Sequence, residues 1–301
     1  MNNTTHTKFV DESNKNSFKT FLIMAGLSGF IIAVGFLIAT TTGNSSYITY
    51  ALIFAIGQNL VSYFIGPKIA LSTSGAVAAD PEKYSDLHSI VESISVEANI
   101  KKPDVYIIND PAPNAFATGR GRSSSSVAVT TGLMAMLDRG ELEGVIAHEV
   151  THIKNRDILV MTAVVTMSAV LSTLANMAMY ARMAGNRGGE NSGNSNIVFM
   201  IVGVAGSIVL PFAMMLIQMS ISRKREFMAD AGGAILSKHP EALASALQKI
   251  GGFRQPLQLA SPATAHMYIS CPFGGKEGQT FWQKLFLTHP LTEERVQALI
   301  G

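Results

Sequence analysis

Between Lys19 and Lys68 the chain carries no charged side chain at all. Two apolar runs fill this stretch, 21–39 and 47–66, parted by the turn-forming residues Thr40-Thr41-Thr42-Gly43-Asn44-Ser45-Ser46. Each run is close to the ~20 residues that a helix needs to cross a ~30 Å hydrocarbon core. Two further uncharged runs follow at 158–180 and 197–222, the second interrupted by Pro211. Charged residues make up 15% of the chain, well under the ~25% usual for a soluble domain. The deficit lies in these runs, which predicts membrane spans in place of the buried helices of a soluble protein. The first run is too long for the apolar core of a cleaved signal peptide, and a second span follows it almost at once.

Lysines 8, 15 and 19 precede the first span, and the turn joining it to the second has none. Lys68, Lys83, Lys101 and Lys102 follow the second span, and Arg223, Lys224 and Arg225 follow the fourth. The positive-inside rule therefore puts both termini and the 68–157 region in the cytoplasm, against the weaker pull of Arg182 and Arg187. The chain divides into a flexible N-terminus (1–16), a transmembrane hairpin (17–67), a first catalytic segment (68–157), a second hairpin (158–222) and a second catalytic segment (223–301). The glycine-rich stretch 184–196 reads as a connector and 274–278 as a surface loop.

In the soluble part, Leu87, Ile90, Val91 and Ile94 have helical spacing within 81–99, and 141–154 is also helical. Residues 104–109 and 126–130 read as strands, so the domain is α+β with a small sheet. A net charge of +2 argues against a polyanionic partner such as nucleic acid, and the one cysteine, Cys271, excludes an intramolecular disulfide. Arg120 and Arg122 beside Gly119 and Gly121 lack the GK[ST] sequel of a phosphate loop and read as a solvated loop.

The chemistry is concentrated in His148-Glu149-Val150-Thr151-His152. Residues four apart on a helix share a face, so both imidazoles reach one tetrahedral Zn²⁺. Glu149 lies about 100° round the helix, too far to be a third ligand but placed to take a proton from a zinc-activated water. A catalytic zinc needs one more protein ligand and an open position. Glu226, Asp230, His239, His266 and His289 are the downstream candidates. His152 lies six residues before the third apolar run, and Glu226 four residues after the fourth. A membrane hairpin therefore brings both to one depth, which favours Glu226, with Asp230 one turn on as an orienting carboxylate.

His148–His152 continuing through Ile153-Lys154-Asn155-Arg156-Asp157, the hairpin, and Glu226-Phe227-Met228-Ala229-Asp230 resemble the HtpX family of bacterial membrane zinc proteases, relatives of the CAAX prenyl proteases. Pro113-Asn114-Ala115-Phe116-Ala117-Thr118-Gly119, and His289-Pro290 with Arg295, match as well, and the likeness covers nearly the whole chain. It implies a multi-pass α-helical membrane protein with a cytoplasmic, gluzincin-like α+β zinc-metalloprotease domain. One Zn²⁺ per chain would be held by His148, His152 and Glu226, with Glu149 as base. Asn114 would lie near the substrate, and His289 with Arg295 would stabilise the oxyanion; a turn at Asn114 and a helix-entry turn at His289-Pro290 are the plainer readings.

The resemblance further implies quality control of damaged membrane proteins in the bacterial inner membrane as part of a stress response. Protein substrates and the bilayer are the expected partners, with other membrane quality-control proteases beside them. A dedicated processing protease for one membrane substrate, and a non-proteolytic zinc-binding scaffold, are the alternatives. From the residues, an extended substrate is expected to add to 126–130 as to an edge strand.

Overall fold

The structure, a computed structural model, describes residues 3–166, 223–259, 264–273 and 290–301, with side chains from residue 13 onward. Most of the expected second hairpin, the connector at 184–196, the loop at 274–278 and His289 lie outside the described residues.

Two helices, α1 (Asn3–Thr42) and α2 (Ser46–Phe64), form an antiparallel pair around a turn at Gly43, whose φ of +72° suits glycine. Gly35 lets them touch: a Cβ there would stand 2.3 Å from the Ala51 Cβ. Two amides within the hairpin find partners there. Asn59 Nδ2 donates to Ser28 Oγ at 2.8 Å, and Gln58 Nε2 donates to Asn59 Oδ1 at 2.7 Å. The outer faces present Phe21, Leu22, Phe36, Ile53 and Ile56. By length and composition both Ser13–Thr42 and Ser46–Phe64 can cross a membrane.

One expectation changes at the start. Residues 1–16 were to be loose, yet α1 begins at Asn3. Its buried stripe, Ser13, Asn16, Thr20, Ile23 and Leu27, has helical spacing and starts with polar groups. The helix is therefore not simply a lipid anchor: its polar end is covered by protein.

After α3 (Gly66–Thr73) comes a four-stranded sheet in the order β1-β2-β4-β3. The strands are β1 (Ala76–Ala78), β2 (Asp104–Ile108), β3 (Ala115–Gly121) and β4 (Ser124–Thr130). Only the β2–β4 pair is parallel. Strand β4 thus lies inside the sheet, paired on both sides. The 126–130 run therefore cannot receive a substrate strand; among the described residues the edge strands are β1 and β3, and β3 takes in Gly119, Arg120 and Gly121, which the sequence reads as loop.

Leu87, Ile90, Val91 and Ile94 of α4 (Ser85–Ala98) pack into one core with Val105, Val127 and Val129 of the sheet and Val145, Ile146 and Val150 of α6 (Arg139–Lys154). A short helix, α5 (Thr131–Met136), leads into α6. A capping box, Asp138 with Glu141, starts α6. The same Glu141 carboxylate is 2.6 Å from both Ser245 Oγ and Lys249 Nζ of α9 (Pro240–Gly252), pinning the helix entry. Beyond α6, helix α7 (Asp157–Thr166) is buried along nearly all its length.

The remaining described helices are α8 (Arg223–Ser237) and α10 (Thr292–Ile300). Helix α8 lies against α6 through bare glycines. A Cβ on Gly232 would meet Thr151 Cγ2 at 2.4 Å, and one on Gly233 would meet the His148 backbone N at 3.0 Å.

Candidate metal centre

The tight α6–α8 contact sets what faces what. His148 and His152 present Nε2 atoms 3.2 Å apart, with their rings nearly perpendicular. Glu226, on the first turn of α8, brings Oε2 to 3.9 Å from His148 Nε2 and Oε1 to 3.8 Å from His152 Nε2. Ligand atoms from all three lie within 4.8 Å of one another, and all three residues are buried. Two ligands at ~2.0–2.1 Å from a tetrahedral zinc stand about 3.4 Å apart, so the nitrogen pair is close to that spacing, and each carboxylate oxygen faces one of the two rings. Two imidazoles, one carboxylate and an open fourth position form a donor set suited to catalytic zinc. Glu149 supplies a second sign of fit: its Oε1 is buried with no hydrogen-bond partner, an acceptor left for a water or a substrate.

Each histidine is aimed by a carboxylate at its other nitrogen. His148 Nδ1 is 2.9 Å from Asp230 Oδ1. His152 Nδ1 is 3.0 Å from Asp157 Oδ2. A carboxylate on Nδ1 fixes the tautomer and leaves Nε2 as the ligand atom. Asp230 is expected from its place one turn after Glu226; Asp157 is not. Its signal is an acid five residues after His152, just past the helix end at Asn155, where the chain can fold back on the ring.

The charges are strongly perturbed. Burial pushes the Glu149 carboxyl up, to about 7, despite the pull of His152. Burial works against a charged His152, but the hydrogen bond to Asp157 and the charge of Glu226 outweigh it and lift the ring to about 9. His148 goes down, because burial dominates over Asp230. Burial acts to raise Asp230, but Arg295 holds it below the usual carboxylate range.

Arg295, expected at the oxyanion, is buried beside the cluster and held by three hydrogen bonds. Its Nε donates to Asp230 Oδ2 at 2.8 Å and its Nη2 to Asp230 Oδ1 at 2.6 Å, while Nη1 donates to the Ile269 carbonyl at 2.9 Å. The guanidinium thus holds Asp230 on the Nδ1 side of His148, and its Nη1 also stands 3.9 Å from Glu226 Oε2 of the cluster. Asn114 is buried, and its Nδ2 donates to the Ser270 carbonyl at 3.1 Å, so it ties the start of β3 to 264–273. His289 lies outside the described residues, and the structure brings neither His239 nor His266 into the cluster. His239 pairs with Glu241, and His266 Nε2 lies 3.1 Å from the Met161 carbonyl.

The edge strand runs past this centre. The Ala117 backbone N–H reaches the Glu149 carboxylate, and Ile269 N–H occupies the Ala115 carbonyl at the beginning of β3.

Known proteins resemble this chain. Residues 81–301 match the model of Peptidase family M48. The chain is 43% identical to a Protease HtpX homolog of Caldanaerobacter subterraneus over 95% of each chain. It is 42% identical to one of Burkholderia multivorans over 95% of this chain and 96% of that one. The crystal structure of S. mikatae Ste24p shares the fold at 16% identity, with a TM-score of 0.52 over 97% of this chain and 67% of that one. With a matching model that begins at the helix α4 region and takes in both helices of the histidine–glutamate cluster, the chain belongs to Peptidase family M48.

Proposed function

We propose that this metallopeptidase is a zinc-dependent endopeptidase of the bacterial inner membrane that cleaves misfolded or damaged membrane proteins. The observation that carries it is the convergence of His148, His152 and Glu226 beside the buried carboxylate of Glu149, in a chain of family M48. Two apolar helices precede the domain and support membrane attachment. The uncharged runs at 158–180 and 197–222 support a second inserted hairpin, and the lysine and arginine distribution supports a site facing the cytoplasm.

Bound at His148, His152 and Glu226, zinc would polarise a peptide carbonyl and make a neighbouring water acidic. Glu149 then takes the proton from the attacking water and delivers it to the departing amine nitrogen. Its raised pKa keeps it able to do both near neutral pH. Asp230 and Asp157 hold the two rings with Nε2 forward, and Arg295 holds Asp230. An extended substrate lies along the outer edge of β3 past Ala115, whose own main-chain groups are taken, where main-chain hydrogen bonds give affinity with little side-chain preference. Such recognition favours broad clearance, as in a stress response alongside other membrane proteases, over processing of one substrate. It also sets the chain apart from a zinc-binding scaffold, which has no use for a buried carboxylate left open.

Zinc content and peptide cleavage of the wild type and Glu226→Gln, purified in detergent, test the reading. Glu226→Gln is expected to lose zinc and activity together. Full zinc in that variant would remove Glu226 from the ligand set.

A further inference from the structure

The turn between α6 and α7, Asn155-Arg156-Asp157, carries the carboxylate that orients His152, and it is gripped by the first helix of the chain. Asn16 Nδ2 donates to Asp157 Oδ1 at 2.7 Å and to the Asn155 carbonyl at 3.0 Å. Both partners only accept, so the amide's orientation is settled by chemistry: turned over, its oxygen would face a carboxylate and a carbonyl. One residue on, Ser17 Oγ accepts from Arg156 Nη1 at 3.2 Å. Arg156 itself is held at a φ of +59°, a conformation a non-glycine residue keeps only when its surroundings fix it. Asp157 and Asn16 are both buried, and Arg225 Nε stands farther off, at 3.4 Å from Asp157 Oδ1.

We propose that Asn16 is a positioning residue of the metal centre, acting through Asp157 on His152, so that docking of α1 onto the α6–α7 turn sets zinc affinity. The inference rests on the zinc site proposed above. Asp157 Oδ2 can aim His152 Nδ1 only if Oδ1 is held, and the shortest contact holding it comes from Asn16. The first membrane helix therefore takes part in assembling the site, in addition to anchoring the chain. Its polar start is buried on the catalytic domain, while its apolar remainder lies against α2.

The test uses the full chain in detergent, with zinc itself as the probe and a chromogenic chelator as competitor. Asn16→Ala is expected to weaken zinc binding about tenfold, the scale typical of partners behind a ligand histidine. Asn14→Ala, exposed on the same helix, should leave it unchanged. In an Asp157→Asn background the added effect of Asn16→Ala should fall below about twofold, since both changes cut one path. If Asn16→Ala does not fold, Asn16→Asp keeps the size, replaces the donor by an acceptor facing Asp157, and should weaken zinc binding further still. Wild-type zinc affinity in either variant, even with a lower melting temperature of the zinc-free protein, would reduce Asn16 to a tether and overturn the proposal. Equal losses in both backgrounds would overturn it too. A wild type that takes up no zinc would instead sink the zinc site itself.

Discussion

Asp230 stands between His148 and Arg295, with Oδ1 2.9 Å from the histidine Nδ1 and 2.6 Å from the arginine Nη2. The three residues come from α6, α8 and α10, so a single carboxylate joins the ligand histidine to the C-terminal helix. A carboxylate so placed makes the ring a better and better-aimed ligand. Asp230→Ala is therefore expected to lower zinc affinity about 10–100-fold. Arg295→Lys keeps the charge but loses the two-pronged contact, and should give a smaller loss. Chelator competition measures both; an unchanged affinity in Asp230→Ala would mean that His148 is aimed by packing alone.

Glu149 adjoins the His148–His152–Glu226 cluster and is proposed as its base. Glu149→Gln should keep its zinc and lose cleavage by about a thousandfold, the middle of the range for general acid–base catalysis. Metal analysis beside a fluorogenic peptide assay separates the two effects. Loss of zinc in this variant would make Glu149 a ligand and not the base.

Acid–base linkage predicts a falling stability of the metal-free protein with pH and a stabilisation by zinc that grows with it. Glu149 moves from 4.5 to about 7 on folding, and His152 from 6.5 to about 9. Both groups hold protons more tightly when folded. Their contribution to stability is complete below the unfolded values and is lost as pH rises through about 7 and about 9. The zinc-free protein should thus melt at progressively lower temperature from pH 7 to 9. Zinc competes with the proton on His152, so the rise in melting temperature on adding zinc should grow across the same window. Calorimetry or dye-monitored melting at fixed ionic strength decides it; a flat zinc-free profile would contradict the buried pair.

Helix α8 can bring Glu226 to the histidines only because Gly232 and Gly233 let it lie against α6. Gly233→Ala would press a methyl group on the His148 backbone N at 3.0 Å, where the neighbour is main chain and cannot swing aside. A loss of about 1–3 kcal/mol is expected, together with weaker zinc binding as Glu226 is displaced. Reversible denaturation read with and without zinc would show both. A stable variant with normal metal content would mean that α8 can shift without moving its first turn.

Substrate addition to β3 depends on backbone hydrogen bonds. Methylating single backbone nitrogens around the scissile bond of a cleaved peptide should raise KM severalfold at alternate positions, since successive groups in a strand point to opposite sides. Equal tolerance at every position, or cleavage sites sharing one strict consensus, would argue for side-chain pockets in place of strand addition.

The sequence by itself determined the local parts. His148 and His152 face one way because a helix turns every 3.6 residues, whatever surrounds it. The apolar runs at 21–39 and 47–66 likewise announce helices by length and composition alone, and the structure has α1 and α2 there. Asp230 was legible as a partner of Glu226 by the same one-turn spacing.

Tertiary structure decided everything that depends on which distant segments meet. The edge of the sheet fell to β3 and not β4 because strand order is set by long-range pairing, and β4 reads the same in either position. Arg295 reached Asp230 because α10 packs beside α8, a contact with no local signature. Asp157 and Asn16 became parts of one hydrogen-bond path because α1 extends back to Asn3 and lays its polar stripe on the α6–α7 turn. Helical periodicity is written in neighbours along the chain. The burial that turns a polar residue into a positioning group is supplied by segments far away in sequence, and only the folded protein brings them together.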